Sequence, residues 1–325
     1  MNKELYEYIT KKHEKPLMIM MIGLPGSGKS TFAESSIFEN MIIHSSDKLR
    51  EELYNNVNIQ ECNVEIFAEL HKRLKDDLRK GNSVIYDATN ISKKRRRAFI
   101  SELKNISCEK ICICMMTPYE ICLINNSIRE RVIPNDVIKK MYMHWCPPDL
   151  EEGFNKVFYE YNFGNSINVK EKYTISSLFA GDNSIFKFSQ ENSHHRLTLG
   201  KHCVEAKNYL CEKYPQEYLL HIAALLHDIG KVFTKTRINQ KGLYDGNCHY
   251  YQHHCVGAYD SLFYTYDMSM NTEEKTYIAN LIYYHMHPFT SWKDSEKAKR
   301  KCINQIGEKM YNDIMKLHEG DLYAH

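Results

Sequence analysis

The most specific chemical signal in the sequence is the glycine-rich segment GLPGSGKST, which follows the apolar run LMIMMI and precedes a helix-compatible stretch. It fits the pattern GxxxxGK[ST]. Glycines let backbone N–H groups curl around phosphate oxygens, a lysine here reaches the β and γ phosphates, and the next hydroxyl can ligate Mg²⁺. The sequence therefore predicts ATP or GTP binding by Gly23, Gly26, Ser27, Gly28, Lys29, Ser30 and Thr31, with Ser30 on the metal.

Two aspartates follow the next two apolar segments. Asp47 comes after MIIHSS and Asp87 ends SVIYD, so both are expected at the carboxyl edge of a sheet, where open parallel sheets bind ligands. Asp47 can orient and deprotonate an acceptor hydroxyl, or it can be the N-cap of the helix KLREELY. Asp87 can hold Mg²⁺ through water or contact the acceptor, or it can be a turn residue.

Arginines and lysines form two further candidate groups. The run Lys93–Arg97 can receive a polyphosphate backbone, with Arg95 and Arg96 as substrate-binding residues, or it can be a solvated helix face. Arg129 and Arg131 lie where a lid over the nucleotide is expected. Their planar guanidinium groups suit the developing charge of a transferred phosphoryl group, and surface salt bridging is the alternative.

Histidine is concentrated in the C-terminal part, since all but four of the 16 histidines follow residue 193. Candidate metal ligands lie on separate predicted helices: His202, His227, Asp228, His253, His285 and Asp321. Mixed histidine and aspartate ligands suit Mn²⁺, Fe²⁺, Co²⁺, Ni²⁺ or Zn²⁺, and an aspartate can bridge two ions. Any one of these histidines can instead be a core residue. His254 and His287 are adjacent alternatives for the outer positions, and His194, His195 and His221 are better explained as structural.

The elements that must position these residues differ between the two halves. Four apolar segments, LMIMMIG, MIIHSS, SVIYDA and KICICMM, alternate with helix-like stretches, which is typical of a parallel sheet in an α/β domain. We expect this domain to span residues 1–160. Residues 161–193 lack clear periodicity and are expected to be a linker or connecting insertion. Helical patterns dominate residues 194–325, so the second domain is expected to be all-α.

Composition places the chain among folded soluble proteins. The hydrophobic fraction is 43%, the charged fraction 26% and the net charge +2, so the overall charge does not indicate whether nucleic acid is a partner. The 11 cysteines include no CxxC pair and suit reduced thiols. No run of about 18 apolar residues and no signal peptide is present, so we expect a cytoplasmic location and no membrane partner.

The N-terminal motifs together resemble a known family. GLPGSGKST, HSSDKLREEL, VIYDATNISKKRRRAF and SIRERVIPNDVIKKMY, followed by PPDLEEGFNKV, resemble the polynucleotide kinase branch of P-loop kinases over about residues 17–160. In that family an aspartate in the position of Asp47 is the base for a 5′-hydroxyl, and lid arginines contact the ATP phosphates. The resemblance implies these roles for Asp47, Arg129 and Arg131, with ATP and Mg²⁺ as cofactors.

The C-terminal motifs resemble a second family. LGKHCVEA, AALLHDIGK, QHHCVGAYDS, LIYYHMHP and HEGDLYAH resemble, in order, the motifs of HD phosphohydrolases over residues 194–325. The resemblance implies a core transition-metal set of His202, His227, Asp228 and Asp321. It also implies that His253 and His285 bind a second metal or a phosphate, that Lys231 lies near a substrate phosphate, and that Asp228 and Lys231 are catalytic.

Together, the two domains resemble bacterial end-healing enzymes, in which the HD module precedes the kinase. Such enzymes phosphorylate 5′-OH ends of RNA or DNA and remove 2′-, 3′- or cyclic phosphates, so that a separate ligase can act. The alternative is a nucleoside or metabolite kinase fused to a nucleotide phosphohydrolase, which would not need the cationic run Lys93–Arg97. A nucleotide-regulated RNA-binding or signalling protein is a third class, but it would need neither Asp47 nor the full metal set.

Overall fold

The computed structural model describes residues 2–59, 61–164, 167–181, 184–191 and 196–325. Contacts group the chain into two units, Met1–Met141 with Pro148–Asn165 and Tyr142–Pro147 with Ser166–His325. The expected boundaries at residues 160 and 193 stay a prediction from composition. In the structure, the short stretch Tyr142–Pro147 groups with the second unit, although it lies well before either boundary.

The first unit contains a five-stranded parallel sheet in the order β2-β3-β1-β4-β5, which confirms the α/β class. The strands are β1 Leu17–Ile22, β2 Ile42–Ser45, β3 Val84–Asp87, β4 Glu109–Met116 and β5 Lys156–Tyr161. The helices are α1 Lys3–Thr10, α2 Lys29–Ala33, α3 Ser46–Tyr54, α4 Asn63–Arg79, α5 Lys93–Glu102, α6 Tyr119–Ser127 and α7 Asn135–Met143, which ends in the second unit. The apolar segments predicted four of the strands, and β5 was missed.

Burial explains why these segments form the layers of an α/β fold. All six residues of β1 are buried, as expected for a central strand that is covered on both faces. In α4, Ile66, Leu70, Leu74 and Leu78 recur every fourth residue and form the buried stripe of an amphipathic helix. The helix-compatible stretch after the glycine-rich segment is shorter than its sequence indicates, because α2 ends at Ala33.

The second unit is helical, as predicted, and its described residues form no strand beyond an isolated bridge between Thr236 and His249. Its helices are α8 Ile167–Glu171, α9 Ile175–Phe179, α10 Leu199–Lys213, α11 Tyr218–Leu226, α12 Lys231–Thr234, α13 His253–Tyr264, α14 Thr272–Tyr284, α15 Ser291–Asp294 and α16 Glu296–Tyr323. A kink at Gly307, with φ +80°, interrupts α16. No described helix is both long and apolar enough to span a membrane, and all 11 cysteines are free thiols.

The stretch Tyr142–Pro147 is part of the core of the second unit. Trp145 is fully buried and packs edge-on against Tyr259 of α13, with ring centroids 5.1 Å apart. The hydroxyl of Tyr142 donates a 2.6 Å hydrogen bond to Asp260 of the same helix. These contacts tie the stretch to α13, the helix that begins with His253.

Replacing the buried indole should therefore destabilise the second unit. We expect Trp145→Ala to lower its unfolding free energy by about 3–5 kcal/mol, because a large buried side chain leaves a cavity. Trp145→Phe should lose less, since the ring remains and the indole N–H has no hydrogen-bond partner among the described residues. Urea unfolding followed by the fluorescence of Trp292, which also lies in the second unit, measures both variants. An unchanged midpoint in Trp145→Ala would contradict this packing.

Candidate phosphate-binding and metal-binding sites

The glycine-rich loop between β1 and α2 has the backbone conformation that its sequence predicts. Gly26 has φ +78°, and a Cβ there would lie 2.2 Å from the carbonyl oxygen of Cys122. Only glycine fits this position, because the left-handed conformation and the close carbonyl both exclude a side chain. Gly23 and Gly28 also have positive φ, at +154° and +89°. The loop thus presents its backbone rather than side chains, as a phosphate cradle requires.

The cationic and hydroxyl groups of the loop face the end of β3. The Lys29 ammonium donates a 2.8 Å hydrogen bond to the carbonyl of Leu24. Burial lowers the pKa of Lys29, and the Asp87 carboxylate opposes this shift. Ser30 Oγ donates a 2.8 Å hydrogen bond to Asp87 Oδ2, which brings together two oxygens of the kind that Mg²⁺ prefers. These residues fit a nucleotide phosphate with Mg²⁺, whereas Thr31 is exposed.

Asp47 lies in the first turn of α3, two residues beyond β2, and forms ion pairs with three arginines. Its Oδ1 lies 2.9 Å from Arg50 and forms a very short contact with Arg131, and its Oδ2 lies 3.6 Å from Arg129. The N-cap of α3 is Ser45, so the capping role considered for Asp47 is not the one it has. The arrangement places a carboxylate among groups that can bind anions.

A cavity of about 600 Å³ in the first unit joins these groups. Lys29 and Ser30 of the loop line it together with Asp47 and Asp87. The guanidinium groups of Arg50, Arg95, Arg129 and Arg131 line it as well. A single space therefore connects the phosphate loop, two carboxylates and four arginines.

Arg96 is not available to a substrate, contrary to its prediction as a substrate-binding residue. Its side chain is 0% exposed, and Nε and NH2 contact the two carboxylate oxygens of Glu152 at 2.7 and 2.6 Å. NH1 donates to the carbonyls of Asn90 and Ile91. The cationic run is thus divided, because Arg96 is a structural residue while Arg95 is exposed and lines the cavity.

In the second unit, the four predicted histidine ligands converge on Asp228. Its Oδ2 lies 3.3 Å from Nε2 of both His202 and His227, and its Oδ1 lies 3.2 Å from Nε2 of His253 and 3.6 Å from that of His285. Asp321 joins the first pair, since its Oδ1 lies 3.1 Å from His202 and 3.6 Å from His227. Asp228 therefore separates two donor groups, one on each carboxylate oxygen.

The orientation of the imidazoles fits divalent cations. Nδ1 of each of the four histidines lies 2.6–3.2 Å from a backbone carbonyl, so it must carry the proton and leave Nε2 as the inward atom (His202, His227, His253 and His285). Within each pair, the two Nε2 atoms are 3.1 Å apart. Two lone pairs this close repel each other unless a proton or a metal ion lies between them. Ligands that share one ion at about 2.1 Å lie about 3.0–3.4 Å apart, which matches these separations.

Asp228 also contacts a lysine. The Lys231 ammonium lies 2.6 Å from Asp228 Oδ2 and donates a 2.9 Å hydrogen bond to Gln190. Burial alone would raise the pKa of Asp228, but Lys231 and His227 outweigh burial and hold that pKa well below its usual value. Asp228 is therefore an anion at neutral pH and can bind cations.

The same geometry distinguishes His253 and His285 from their neighbours His254 and His287. Neither His254 nor His287 belongs to a group of potential metal ligands among the described residues, whereas His253 and His285 form one with Asp228. Burial lowers the pKa of His287 to about 4, so its ring is neutral, and it packs against Tyr284. His221 is structural and bonds the carbonyl of Tyr214, while residues 194 and 195 lie outside the described residues.

Two residues that contact the predicted site residues were not predicted from the sequence. Arg50 contacts Asp47, and its position three residues later on a helix is the signal that could have indicated it. His325 Nε2 lies 3.2 Å from Asp321 Oδ1, one helical turn away, and forms a potential ligand group with His202 and Asp321.

Comparisons with known proteins agree with this division. Residues 18–148 match the family model described as an AAA domain, and residues 199–309 match that of the HD domain. The N-terminal part of the chain is thus similar to AAA domains and the C-terminal part to HD domains.

Three similar proteins illustrate the range of relatives. The bifunctional polynucleotide phosphatase/kinase of Schizosaccharomyces pombe is 26% identical over 164 residues, 48% of this chain and 36% of that protein. The L-seryl-tRNA(Sec) kinase of Methanococcus maripaludis is 32% identical over 141 residues, 41% of this chain and 53% of that protein. A solved Pnkp1/Rnl/Hen1 RNA repair complex is 22% identical with a TM-score of 0.37, covering 41% of this chain and 44% of that chain. The chain spans about half or less of these proteins.

The neighbouring residues Arg95 and Arg96 provide a matched test of the divided cationic run. Arg96→Met should destabilise the first unit by about 3–5 kcal/mol, because it leaves Glu152 buried without its partner. Arg95→Met should change stability by less than about 0.5 kcal/mol. Hydrogen exchange of the α5 amides should accelerate only in Arg96→Met, and adding Glu152→Leu should restore protection. Equal exchange in the two single variants would contradict the structural role of Arg96.

Proposed function

We propose that the first unit is an ATP-dependent kinase that phosphorylates the 5′-hydroxyl of a polynucleotide. The observation that carries this proposal is the position of the Asp47 carboxylate in the same cavity as Lys29 and Ser30. A carboxylate there can accept the proton of a hydroxyl that attacks the γ phosphate, which is the task of the base in a kinase. The resemblance in sequence to polynucleotide kinases supports the same role.

Each of the other groups has a role in this reaction. The loop backbone and Lys29 hold the β and γ phosphates, while Ser30 and Asp87 would hold Mg²⁺, which neutralises phosphate charge. Arg129 and Arg131, now paired with Asp47, would bind the negative charge of the transferred phosphoryl group. The hydroxyl oxygen then forms the new bond to phosphorus, the bond to the leaving ADP breaks, and the proton passes to Asp47.

The lining of the cavity favours a nucleic-acid acceptor. Arg50 and Arg95 lie among its lining residues in addition to the two lid arginines, so the cavity can contact more anionic groups than the nucleotide alone provides. Phe67 and His71 also line it, and bases stack on aromatic rings of this kind. The curated phosphatase/kinase relative from fission yeast supports the same acceptor class.

The role of Asp47 can be separated from nucleotide binding. Asp47→Asn should lower kinase turnover by a factor of about 10²–10⁴, the usual contribution of a general base, while ATP affinity changes little. Glu51→Gln, an exposed position on the same helix, is the matched control and should leave turnover unchanged. Turnover with a 5′-OH oligonucleotide and calorimetric titration with ATP give the two readouts. Full turnover in Asp47→Asn would rule out Asp47 as the base.

For the second unit we propose a metal-dependent phosphohydrolase that removes 2′-, 3′- or cyclic phosphates from polynucleotide ends. The convergence of four imidazoles on the two oxygens of Asp228 carries this proposal. His202, His227, Asp228 and Asp321 would hold one ion, and His253, His285 and Asp228 a second, from the series Mn²⁺, Fe²⁺, Co²⁺, Ni²⁺ and Zn²⁺. Such ions acidify water and neutralise phosphate oxygens. Lys231, next to Asp228, would contact the substrate phosphate.

Asp228 should be indispensable for the second activity alone. Asp228→Ala should abolish phosphate release and lower the bound metal measured by elemental analysis, because it removes the one carboxylate shared by both donor groups. Phosphorylation of 5′ ends should persist. Asp245→Ala is the matched control, since Asp245 also pairs with a histidine, His249, but touches no other potential ligand group among the described residues. Metal content equal to wild type in Asp228→Ala would contradict the assignment.

A second candidate function is a small-molecule kinase fused to a nucleotide phosphohydrolase. It is favoured by the similarity to L-seryl-tRNA(Sec) kinase, whose name does not indicate a polynucleotide end as acceptor. Comparing 3′-phosphorylated oligonucleotides with free nucleotides, and 5′-OH oligonucleotides with nucleosides, decides between the two functions. A strong preference for free nucleotides and nucleosides would overturn end healing.

The proposed activities imply partners and a location. Ends that carry a 5′-phosphate and a 3′-hydroxyl are substrates for a ligase, so we propose that a separate ligase consumes the product. Free thiols at all 11 cysteines are consistent with a reducing compartment, and we keep the cytoplasm as part of the proposal.

A further inference from the structure

The segment Asp321–His325 supplies more than one group to the first donor group of the second unit. The carboxylate of Asp321 is a predicted ligand, and the carbonyl of Ala324 accepts the Nδ1–H of His202 at 3.2 Å. His325 follows directly, with Nε2 at 3.2 Å from Asp321 Oδ1. Two residues of this segment thus contact His202, Asp321 at Nε2 and Ala324 at Nδ1, and His325 contacts Asp321.

The position of His325 matches that of a ligand. The candidate ligand atoms of His202, Asp321 and His325 all lie within 4.8 Å of one another. Adjacent ligands around an ion at about 2.1 Å are about 3.0 Å apart, and Asp321 Oδ1 lies 3.1 Å from Nε2 of His202 and 3.2 Å from Nε2 of His325. Nε2 of His325 approaches the same carboxylate oxygen that His202 approaches at 3.1 Å.

Exposure shows from which side His325 approaches. Its side chain is 29% exposed, whereas those of His202, His227, Asp228 and Asp321 are 7% exposed or less. Four donors therefore lie in the interior and the fifth lies at the solvent side. Because His325 is partly exposed, its removal should not unfold the unit.

A second histidine–aspartate pair in the same unit provides a comparison for His325, because it has the same spacing but no neighbouring metal-ligand group among the described residues. His249 and Asp245 are also four residues apart, with Nε2 3.0 Å from Oδ1. No further potential ligand completes a group around that pair among the described residues. The two pairs share residue types, spacing and distance, and they differ in the neighbouring donors.

We propose that His325 is a fifth protein ligand of the first ion, bound from the solvent side next to Asp321. The proposal rests on the phosphohydrolase function proposed above. His202 and Asp321 are shared between His325 and the ligands proposed for the first ion, so adding His325 to those four would give five protein ligands, one more than a tetrahedral ion accepts. The site is therefore suited to Mn²⁺, Fe²⁺, Co²⁺ or Ni²⁺ rather than to four-coordinate Zn²⁺.

Cobalt binding by the full-length protein tests this assignment without any activity measurement. His325→Ala should weaken Co²⁺ binding by about 10–100-fold, the range known for groups that support a metal site, and should alter the visible absorption of the bound Co²⁺. His249→Ala is the matched control and should leave both unchanged. Thermal unfolding of the metal-free proteins should be alike for wild type and both variants, so that any loss reports on the site.

The outcomes separate this proposal from the proposed function. If wild type binds no Co²⁺, the phosphohydrolase centre itself is wrong. If wild type binds Co²⁺ and His325→Ala binds it within about a factor of two of His249→Ala, only the assignment of His325 is wrong. A weaker affinity with an unchanged absorption spectrum also overturns the assignment, because His325 would then only orient Asp321.

Discussion

A carboxylate that is removed from water must be surrounded by cations or hydrogen-bond donors, and the second unit is organised by this requirement at Asp228. Only 2% of this residue is exposed. The Lys231 ammonium supplies this compensation directly, 2.6 Å from Oδ2. Imidazoles from four separate helical regions also face the carboxylate, each held by its own backbone carbonyl. The backbone makes room for this, because Gly230 allows the carbonyl of His253 to come within 2.1 Å of where a Cβ would be. Packing and the proposed metal binding in this unit thus depend on the same arrangement of side chains.

The first unit surrounds two carboxylates with cations in different ways. One carboxylate has a fixed partner, and the other has several partners that also line the cavity. Glu152 is compensated permanently by Arg96, in a pair that no solvent reaches. Asp47 is half-buried and shares three arginines that can also bind phosphate. The fixed pair holds α5 against the short helix Leu150–Glu152, whereas Asp47 and its partners line the cavity of the first unit. Burial and the number of partners, rather than residue type, distinguish the two roles.

Local patterns predicted much of both units, and long-range contacts account for the errors. The phosphate loop and four strands could be predicted because a loop motif and apolar runs are encoded in consecutive residues. Strand β5 was missed because only Val157, Phe158 and Tyr159 form an apolar run before Glu160 interrupts it. Arg96 was misassigned because its partner Glu152 is 56 residues away, and a sequence does not show which distant carboxylate a guanidinium meets. His325 was missed since a histidine four residues after an aspartate is common on helices.

The placement of Tyr142–Pro147 sets an order in which the protein can be completed during synthesis. Chains emerge from the ribosome from the N-terminus, and domains generally fold as units. All residues of the first unit have been made once Asn165 is added. The indole of Trp145 is covered only after α13 has also been made, and α13 begins at His253. The contacts of His202 and His227 with Asp321 form later still, because Asp321 lies in α16. The nascent protein therefore completes the phosphate-binding loop before it completes the metal-binding cluster.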